Sequence, residues 1–123
     1  MKYKVISLKR TPERLEEFRQ NNPHVDFEWY EGVDGQTLDI EPYIQKGWFK
    51  EEMKKFYTKG VFGLAVAEIQ LWHECAAGNE CYTISCDDTY LVGNFHESVE
   101  MIQTSTDQWD IIMWGINSDQ AVS

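Results

Sequence analysis

The sequence predicts an α/β protein with an open sheet and flanking helices. Two observations lead to this fold class. The chain opens with a short apolar run, residues 4–8, that passes through a turn into a helical pattern. Its longest helical pattern, residues 60–77, leads almost directly into a second short run at residues 82–86. Strands that alternate with helices are typical of α/β proteins, and 123 residues correspond to one domain of modest size.

The first strand and helix form a strand–turn–helix unit. Residues 4–8 are predicted as a strand and residues 13–20 as a helix, with Thr11 as the N-cap and Pro12 at the first helical position. Lys9, Arg10 and Arg14 follow at or just past the carboxyl end of the strand. Cations beside a helix N-terminus can hold a diphosphate. The alternative is a solvated basic turn.

The next segment alternates polar and apolar residues and predicts a second strand at residues 26–30. Asp34 and Gly35 follow it as turn residues. Asp34 is also a candidate to accept hydrogen bonds from a ribose or a base.

Residues 38–59 show no single pattern. We predict a short helix at 43–46, and the apolar side chains that follow it are spaced roughly as in a helix. We interpret these as core, with a flap over a site as the alternative. They are Trp48, Phe49, Met53, Phe56 and Tyr57.

The long helix, residues 60–77, shows apolar residues at intervals of three and four, and Gly78 ends it. Its predicted buried face comprises Phe62, Ala65, Val66, Ile69, Trp72, His73 and Ala76. Glu68 falls next to this face. It either points to solvent or belongs to a site.

Two acids follow the buried strand predicted at residues 82–86. Asp87 and Asp88 should therefore lie at the carboxyl edge of the sheet, where ligands bind in open α/β folds. Paired carboxylates suit Mg²⁺ or Mn²⁺ and, through the metal, a substrate phosphate. The alternative is that both acids only turn the chain. Further on we expect a helix at 94–103, a last strand at 110–114 and a polar tail at 115–123.

Composition restricts partners and compartment. A net charge of −10 disfavours nucleic acid as a partner, so an anionic ligand needs a local cation or a metal. Three cysteines without a Cys-x-x-Cys motif favour reduced thiols. The apolar run at the N-terminus is too short for a signal peptide or a membrane span. We therefore expect a cytoplasmic protein without a transmembrane segment.

Five segments in order resemble the glycosyltransferase family 25 domain, which includes bacterial lipooligosaccharide galactosyltransferases and collagen galactosyltransferases. The opening VISLKRTPERL is similar to the family's Ile-Asn-Leu-x-Arg-Arg-Pro-x-Arg-Leu start, and the strand with its acids is similar to the family's Glu-Asp-Asp strand. The five segments are residues 5–15, 27–35, 60–72, 82–91 and 109–112. The resemblance covers nearly the whole chain and about the N-terminal half of a typical member.

This resemblance implies a truncated GT-A-like, Rossmann-related fold, with residues 1–123 as one nucleotide-sugar-binding domain. It implies metal-dependent transfer of a sugar, possibly galactose, from a nucleotide diphosphate sugar to a glycan or other hydroxyl acceptor, as in lipopolysaccharide biosynthesis. The metal is expected to be Mn²⁺ or Mg²⁺. By position, Asp87 and Asp88 would hold metal and diphosphate. Arg10, Arg14 and Asp34 would lie near the nucleotide, and Asp88 and Glu68 are the candidate catalytic carboxylates.

Two positions depart from the family pattern. Cys86 replaces the first acid of Glu-Asp-Asp, and Ala67-Glu68 replaces the family's Ser-His pair. These losses motivate a second hypothesis, a catalytically inactive nucleotide-sugar-binding or interaction module with the same fold. A third, an unrelated domain with phosphoryl chemistry, needs acids after the first strand. The sequence has Ser7-Leu8-Lys9 there instead.

Overall fold

The computed structural model describes residues 1–114 and confirms the α/β class. These residues form three strands, four α-helices and one 3₁₀ helix. In chain order they are β1 (Lys2–Ser7), α1 (Pro12–Asn21), β2 (Glu28–Glu31), α2 (Glu41–Gln45), the 3₁₀ helix (Glu51–Lys55), α3 (Lys59–Ala77), β3 (Tyr82–Cys86) and α4 (Phe95–Ser105).

The three strands form an open parallel sheet in the order β2-β1-β3. Val5 of β1 lies opposite Trp29 of β2 and Ser85 of β3, which makes β1 the central strand. Because all three strands run the same way, their carboxyl ends meet at one edge of the sheet. The chain leaves β1 toward β2 and later returns to the other side of β1. The strand order therefore reverses between β1 and β3, and ligands bind at such a crevice in α/β folds.

Helices cover both faces of this sheet. Tyr3 of β1 contacts the fully buried Phe18 of α1, with ring centroids 6.4 Å apart. Ile6 lies on the opposite face and packs with Ala67 and Leu71 of α3. This alternation follows from the two-residue period of a strand. Packing against α1 on one face and α3 on the other holds β1 in place.

Two glycines bring the loop after β2 against the start of α3. A Cβ on Gly63 would collide with the carbonyl oxygen of Val33, and one on Gly35 with the carbonyl oxygen of Lys59. Only residues without a side chain permit this approach. The loop that carries Asp34 is thereby held next to the first turns of α3.

Several predictions about burial were wrong. β3 is an edge strand in which only Thr83 is buried, because β1 occupies the centre of the sheet. On α3, Trp72 is half exposed while Ala67 and Leu71 are fully buried. Ala67 and Leu71 pack against Ile6 of the sheet, and Phe62 and Val66 of the predicted face are buried as well. Phe56 is 78% exposed and so is not part of the core.

The strand predicted at residues 110–114 is also wrong. This segment is irregular, and Ile111 and Met113 are 70% and 85% exposed. High β-propensity describes a fit to a pleated, paired surface, and in the described residues this segment has no pairing partner.

Contacts divide the chain into two compact units, Met1–Leu91 and one that begins at Val92. In the second unit α4 confirms the predicted helix, and the rings of Phe95 and Trp114 meet edge-on at 6.0 Å. The single domain expected over 1–123 stays a prediction, and the polar tail expected at 115–123 lies outside the described residues. None of the helices in residues 1–114 is long and apolar enough to cross a membrane.

Candidate functional site

A cleft of about 250 Å³ opens at the carboxyl edge of the sheet, at the point where the strand order reverses. Its walls come from the loops after all three strands and from the start of α3. It brings together five of the six predicted site residues. These are Arg10, Arg14, Asp34, Asp87 and Asp88.

Asp87 anchors the centre of this cleft. Its side chain is only 8% exposed. The Ser7 hydroxyl donates a hydrogen bond of 2.7 Å to Oδ2, and Arg14 forms an ion pair of 2.8 Å with Oδ1. One carboxylate therefore joins the ends of β1 and β3 to α1. Arg14 is half exposed, so part of its guanidinium faces solvent.

Ser7 is a site residue that our sequence reasoning missed. It is 2% exposed and belongs to β1, whose last residue it is. A signal was present, because Ser7 occupies the position of the asparagine in the family's Ile-Asn-Leu start. A small polar residue at the end of a buried strand needs a hydrogen-bond partner, and that partner is Asp87.

Asp34 holds the second arginine. Its Oδ2 accepts a hydrogen bond of 2.6 Å from Arg10 Nε, and its Oδ1 accepts one of 3.0 Å from the backbone of Gln36. The Gln36 N–H and the Arg10 guanidinium lower the pKa of the Asp34 carboxyl. Asp34 is therefore a turn residue, and it also orients Arg10 toward the cleft.

Asn22 fixes the loop that follows β3. This residue is 1% exposed at the end of α1. Its amide donates to the carbonyl oxygens of Phe18 and Thr89, and its Oδ1 accepts from the N–H of Leu91. The sequence indicated only a helix end here. In the structure, the side chain ties α1 to the segment that carries both aspartates.

Asp88 differs from Asp87 in its surroundings. It is exposed, lines the cleft and forms no hydrogen bond or ion pair with the other residues of 1–114. Its carboxylate is therefore available to a ligand. Within the described part of the chain no group of three or more His, Cys, Asp or Glu residues is placed to hold a metal. Mg²⁺ commonly takes one or two carboxylates and completes its shell with water and substrate phosphates. Asp88 beside the anchored Asp87 fits that pattern.

Cys86 lines the cleft, and Glu68 of α3 acts electrostatically on its thiol. Burial raises the pKa of the Cys86 thiol to about 11, and Asp88, Glu68 and Asp87 add to the effect. The thiol is therefore protonated at neutral pH. Glu68 is half-buried on α3, and burial raises the pKa of its carboxyl. It is the one predicted site residue that does not line the cleft.

A second cavity of about 570 Å³ continues from the cleft toward β2 and shares Arg10 and Asp34 with it. Gln70 of α3 lies in its wall and accepts a 3.0 Å hydrogen bond from the Tyr30 hydroxyl. Lys9 also lines this cavity. Lys9, Arg10 and Arg14 therefore each line the cleft or the adjoining cavity.

The comparison with protein families decides what kind of protein this is. The family model described as glycosyltransferase family 25 (LPS biosynthesis protein) matches residues 1–120. The chain belongs to glycosyltransferase family 25. No curated protein and no solved structure gave a significant match.

Membership of family 25 supports a glycosyltransferase-like role, in which a sugar donor and an acceptor are the substrates. The family description also connects the chain with lipopolysaccharide biosynthesis. The family assignment made from sequence resemblance is thereby confirmed.

Proposed function

We propose that the chain binds a nucleotide diphosphate sugar in the cleft and transfers the sugar to a hydroxyl of a glycan or related acceptor. Galactose is the sugar that the family resemblance suggests. The observation that carries the proposal is the convergence of Arg10, Arg14, Asp34, Asp87 and Asp88 at the crevice where the strand order reverses. The parallel sheet with helices on both faces supports a GT-A-like architecture as part of the same proposal.

The two arginines are suited to the diphosphate. Each arginine side chain is more than half exposed, and each is held on one side by a carboxylate, Asp34 for Arg10 and Asp87 for Arg14. Within residues 1–114 their remaining N–H donors form no other hydrogen bond or ion pair and can bind a ligand. Arginine binds phosphate oxygens through paired donors in a fixed plane, so fixing one edge orients the others. In a chain of net charge −10, such local cations are what an anionic donor requires.

A divalent ion, Mn²⁺ or Mg²⁺, belongs to this proposal. Asp88 would bind it directly, with Asp87 beside it and the donor phosphates completing the shell. A bound ion would offset charge on the departing diphosphate. Asp87 keeps its bonds to Ser7 and Arg14 in this arrangement, so its main role is to position Arg14 and the loop.

Asp88 and Glu68 are the two carboxylates proposed to act in the reaction. The raised pKa of Glu68 makes its carboxylate a stronger proton acceptor than a fully solvated glutamate. Its carboxyl contributes to the electrostatic environment of Cys86, whose side chain lines the cleft. We also retain the cytoplasm as the proposed location, in keeping with three free cysteines.

Thermal unfolding with a panel of uridine, guanosine and cytidine diphosphate sugars, with and without Mn²⁺, tests binding. A ligand present at 100 times its Kd stabilises the folded state by about 2.7 kcal/mol. We expect one nucleotide sugar to raise the Tm, with a further rise in Mn²⁺ that Asp88→Asn abolishes. Asp26→Asn is the matched control, because Asp26 is an exposed acid that does not line the cleft. Absence of a shift with every donor would refute the proposal.

The inactive binding module is the alternative function. It is favoured by the thiol of Cys86 at the position of the first acid of the family pattern, and by the engagement of both Asp87 oxygens. It predicts the same Tm shifts without chemistry. Detection of free nucleoside diphosphate, or of sugar on an added acceptor, distinguishes the two: either product establishes catalysis, and its absence from a saturated complex establishes the module.

A further inference from the structure

Positive charge is concentrated in one short segment of this acidic chain. Residues 46–59 contain five of its eleven Lys and Arg residues. Lys54 is neutralised by ion pairs with Glu41 and Glu51. Lys46 lies over the rings of Tyr43 and Trp48. Lys50, Lys55 and Lys59 are exposed and form no ion pair with the other residues of 1–114.

Large apolar side chains are exposed in the same place. Phe56 is 78% exposed and Tyr57 52%, and both lie between the 3₁₀ helix and α3. Val61 and Leu64 are 46% and 37% exposed, and residues three apart share one side of a helix. Leu64 also lines the cleft. We call the surface formed by Lys50, Lys55, Phe56, Tyr57, Lys59 and Val61 the basic–aromatic surface.

This surface rests on well-packed structure. Phe49 and Phe62 beneath it are buried, and their rings meet edge-on at 5.1 Å. The Tyr57 ring contacts Phe62 edge-on at 6.3 Å, and the Thr58 side chain caps α3. The backbone therefore holds Phe56 outward. An aromatic side chain that is fixed in solvent costs free energy unless a partner covers it.

We propose that the basic–aromatic surface docks on an anionic lipid bilayer. Phe56 and Tyr57 would enter the headgroup region, while Lys50, Lys55 and Lys59 would meet the acidic headgroups. Lysines beside exposed aromatics are the combination that binds such interfaces. Because Leu64 connects this surface to the cleft, docking would place the cleft mouth at the bilayer, where a lipid-anchored acceptor lies. The inference does not depend on catalysis, since it concerns only binding.

Charge decides between a bilayer and the other common polyanion. A nucleic-acid-binding domain is usually basic as a whole, and this chain has a net charge of −10. At 0.1 M salt the attraction between lysines and an anionic bilayer is screened beyond about 10 Å. A local cluster of lysines can therefore bind the bilayer although the whole chain is acidic. Single-stranded DNA therefore serves as the competing ligand in the test.

The test is co-sedimentation of the full chain with vesicles of phosphatidylglycerol and phosphatidylcholine, compared with pure phosphatidylcholine. We expect binding only to the acidic vesicles, weakened by salt. Lys55→Gln should lower the partition coefficient about fivefold, and Phe56→Ala at least about tenfold. Arg19→Gln and Tyr90→Ala are the controls, because they remove a cation and an aromatic ring at exposed positions outside the basic–aromatic surface. Thermal unfolding verifies that each variant is folded.

Phe56→Trp gives an independent readout, since brominated acyl chains quench a tryptophan that enters the bilayer. Quenching beyond that of the wild-type tryptophans supports the inference. Three results would overturn it: equal binding to both vesicle types, binding unaffected by Lys55→Gln and Phe56→Ala, or tighter binding to single-stranded DNA than to acidic vesicles.

Discussion

Removing the Asp87 carboxylate should destabilise the protein more than removing either of its partners. The Ser7 hydroxyl is buried, and its 2.7 Å hydrogen bond ends on a charged acceptor. Such a bond contributes about 1.5–3 kcal/mol. The ion pair with Arg14 contributes less, about 0–1 kcal/mol, because the Arg14 side chain is 52% exposed. We therefore expect Asp87→Ala to cost about 2–4 kcal/mol, Ser7→Ala about 1.5–3 and Arg14→Gln less than about 1.

Urea unfolding of the three variants with a shared m-value measures these costs. Asp26→Ala is the matched control, because it removes one acid from the same acidic chain at an exposed position. It should stay within about 0.5 kcal/mol of wild type. The double variant Ser7→Ala/Asp87→Ala should cost less than the two single variants together, since both remove the same hydrogen bond.

Two results would refute this reasoning. If Asp87→Ala is no more costly than Asp26→Ala, Asp87 does not hold the cleft together. If Arg14→Gln costs more than Ser7→Ala, the exposed ion pair contributes more to the free energy of unfolding than the buried hydrogen bond does.

Three further predictions concern residues in and around the cleft. The raised pKa of Glu68 means that the folded state binds its proton more tightly than the unfolded chain, so this group contributes a loss of stability as pH rises above 4.5; Glu68→Gln should remove that loss in denaturation measured across pH. With a pKa of about 11, Cys86 should react with iodoacetamide far more slowly at pH 8 than the exposed Cys81, as mass spectrometry of the alkylated peptides will show; equal rates would contradict its burial. Asn22→Ala leaves buried backbone groups unpaired and should cost more than about 2 kcal/mol in urea unfolding.

The sequence predicted the convergence of the site because parallel strands impose it. Once strands were expected before Lys9 and before Asp87, their carboxyl ends had to meet at one edge. The neighbouring arginines and aspartates then had to share that edge. The pattern could not show that Asp87 is buried and bonded to Ser7 and Arg14 while Asp88 is exposed. That difference arises from Ser7, which lies 80 residues away in the chain.

Burial was harder to predict than the elements themselves. The helical spacing of large apolar residues placed Trp72 and not Ala67 on the buried face, yet Ala67 packs with Ile6 of the sheet and Trp72 is half exposed. The prediction of a strand at residues 110–114 was wrong for a related reason, since propensity is local and pairing is not. Phe56 illustrates the same limit, because a helical pattern does not show that the chain leaves the 3₁₀ helix before Phe56 and exposes its ring.

The position of a donor diphosphate and its metal is the central claim. Crystals grown with Mn²⁺ and the nucleotide diphosphate sugar that stabilises the protein most would test it directly through the anomalous signal of manganese. We expect a manganese peak within coordination distance of an Asp88 carboxylate oxygen, with the diphosphate against Arg10 and Arg14. A diphosphate bound elsewhere, with Asp88 and both arginines left in solvent, would contradict the account.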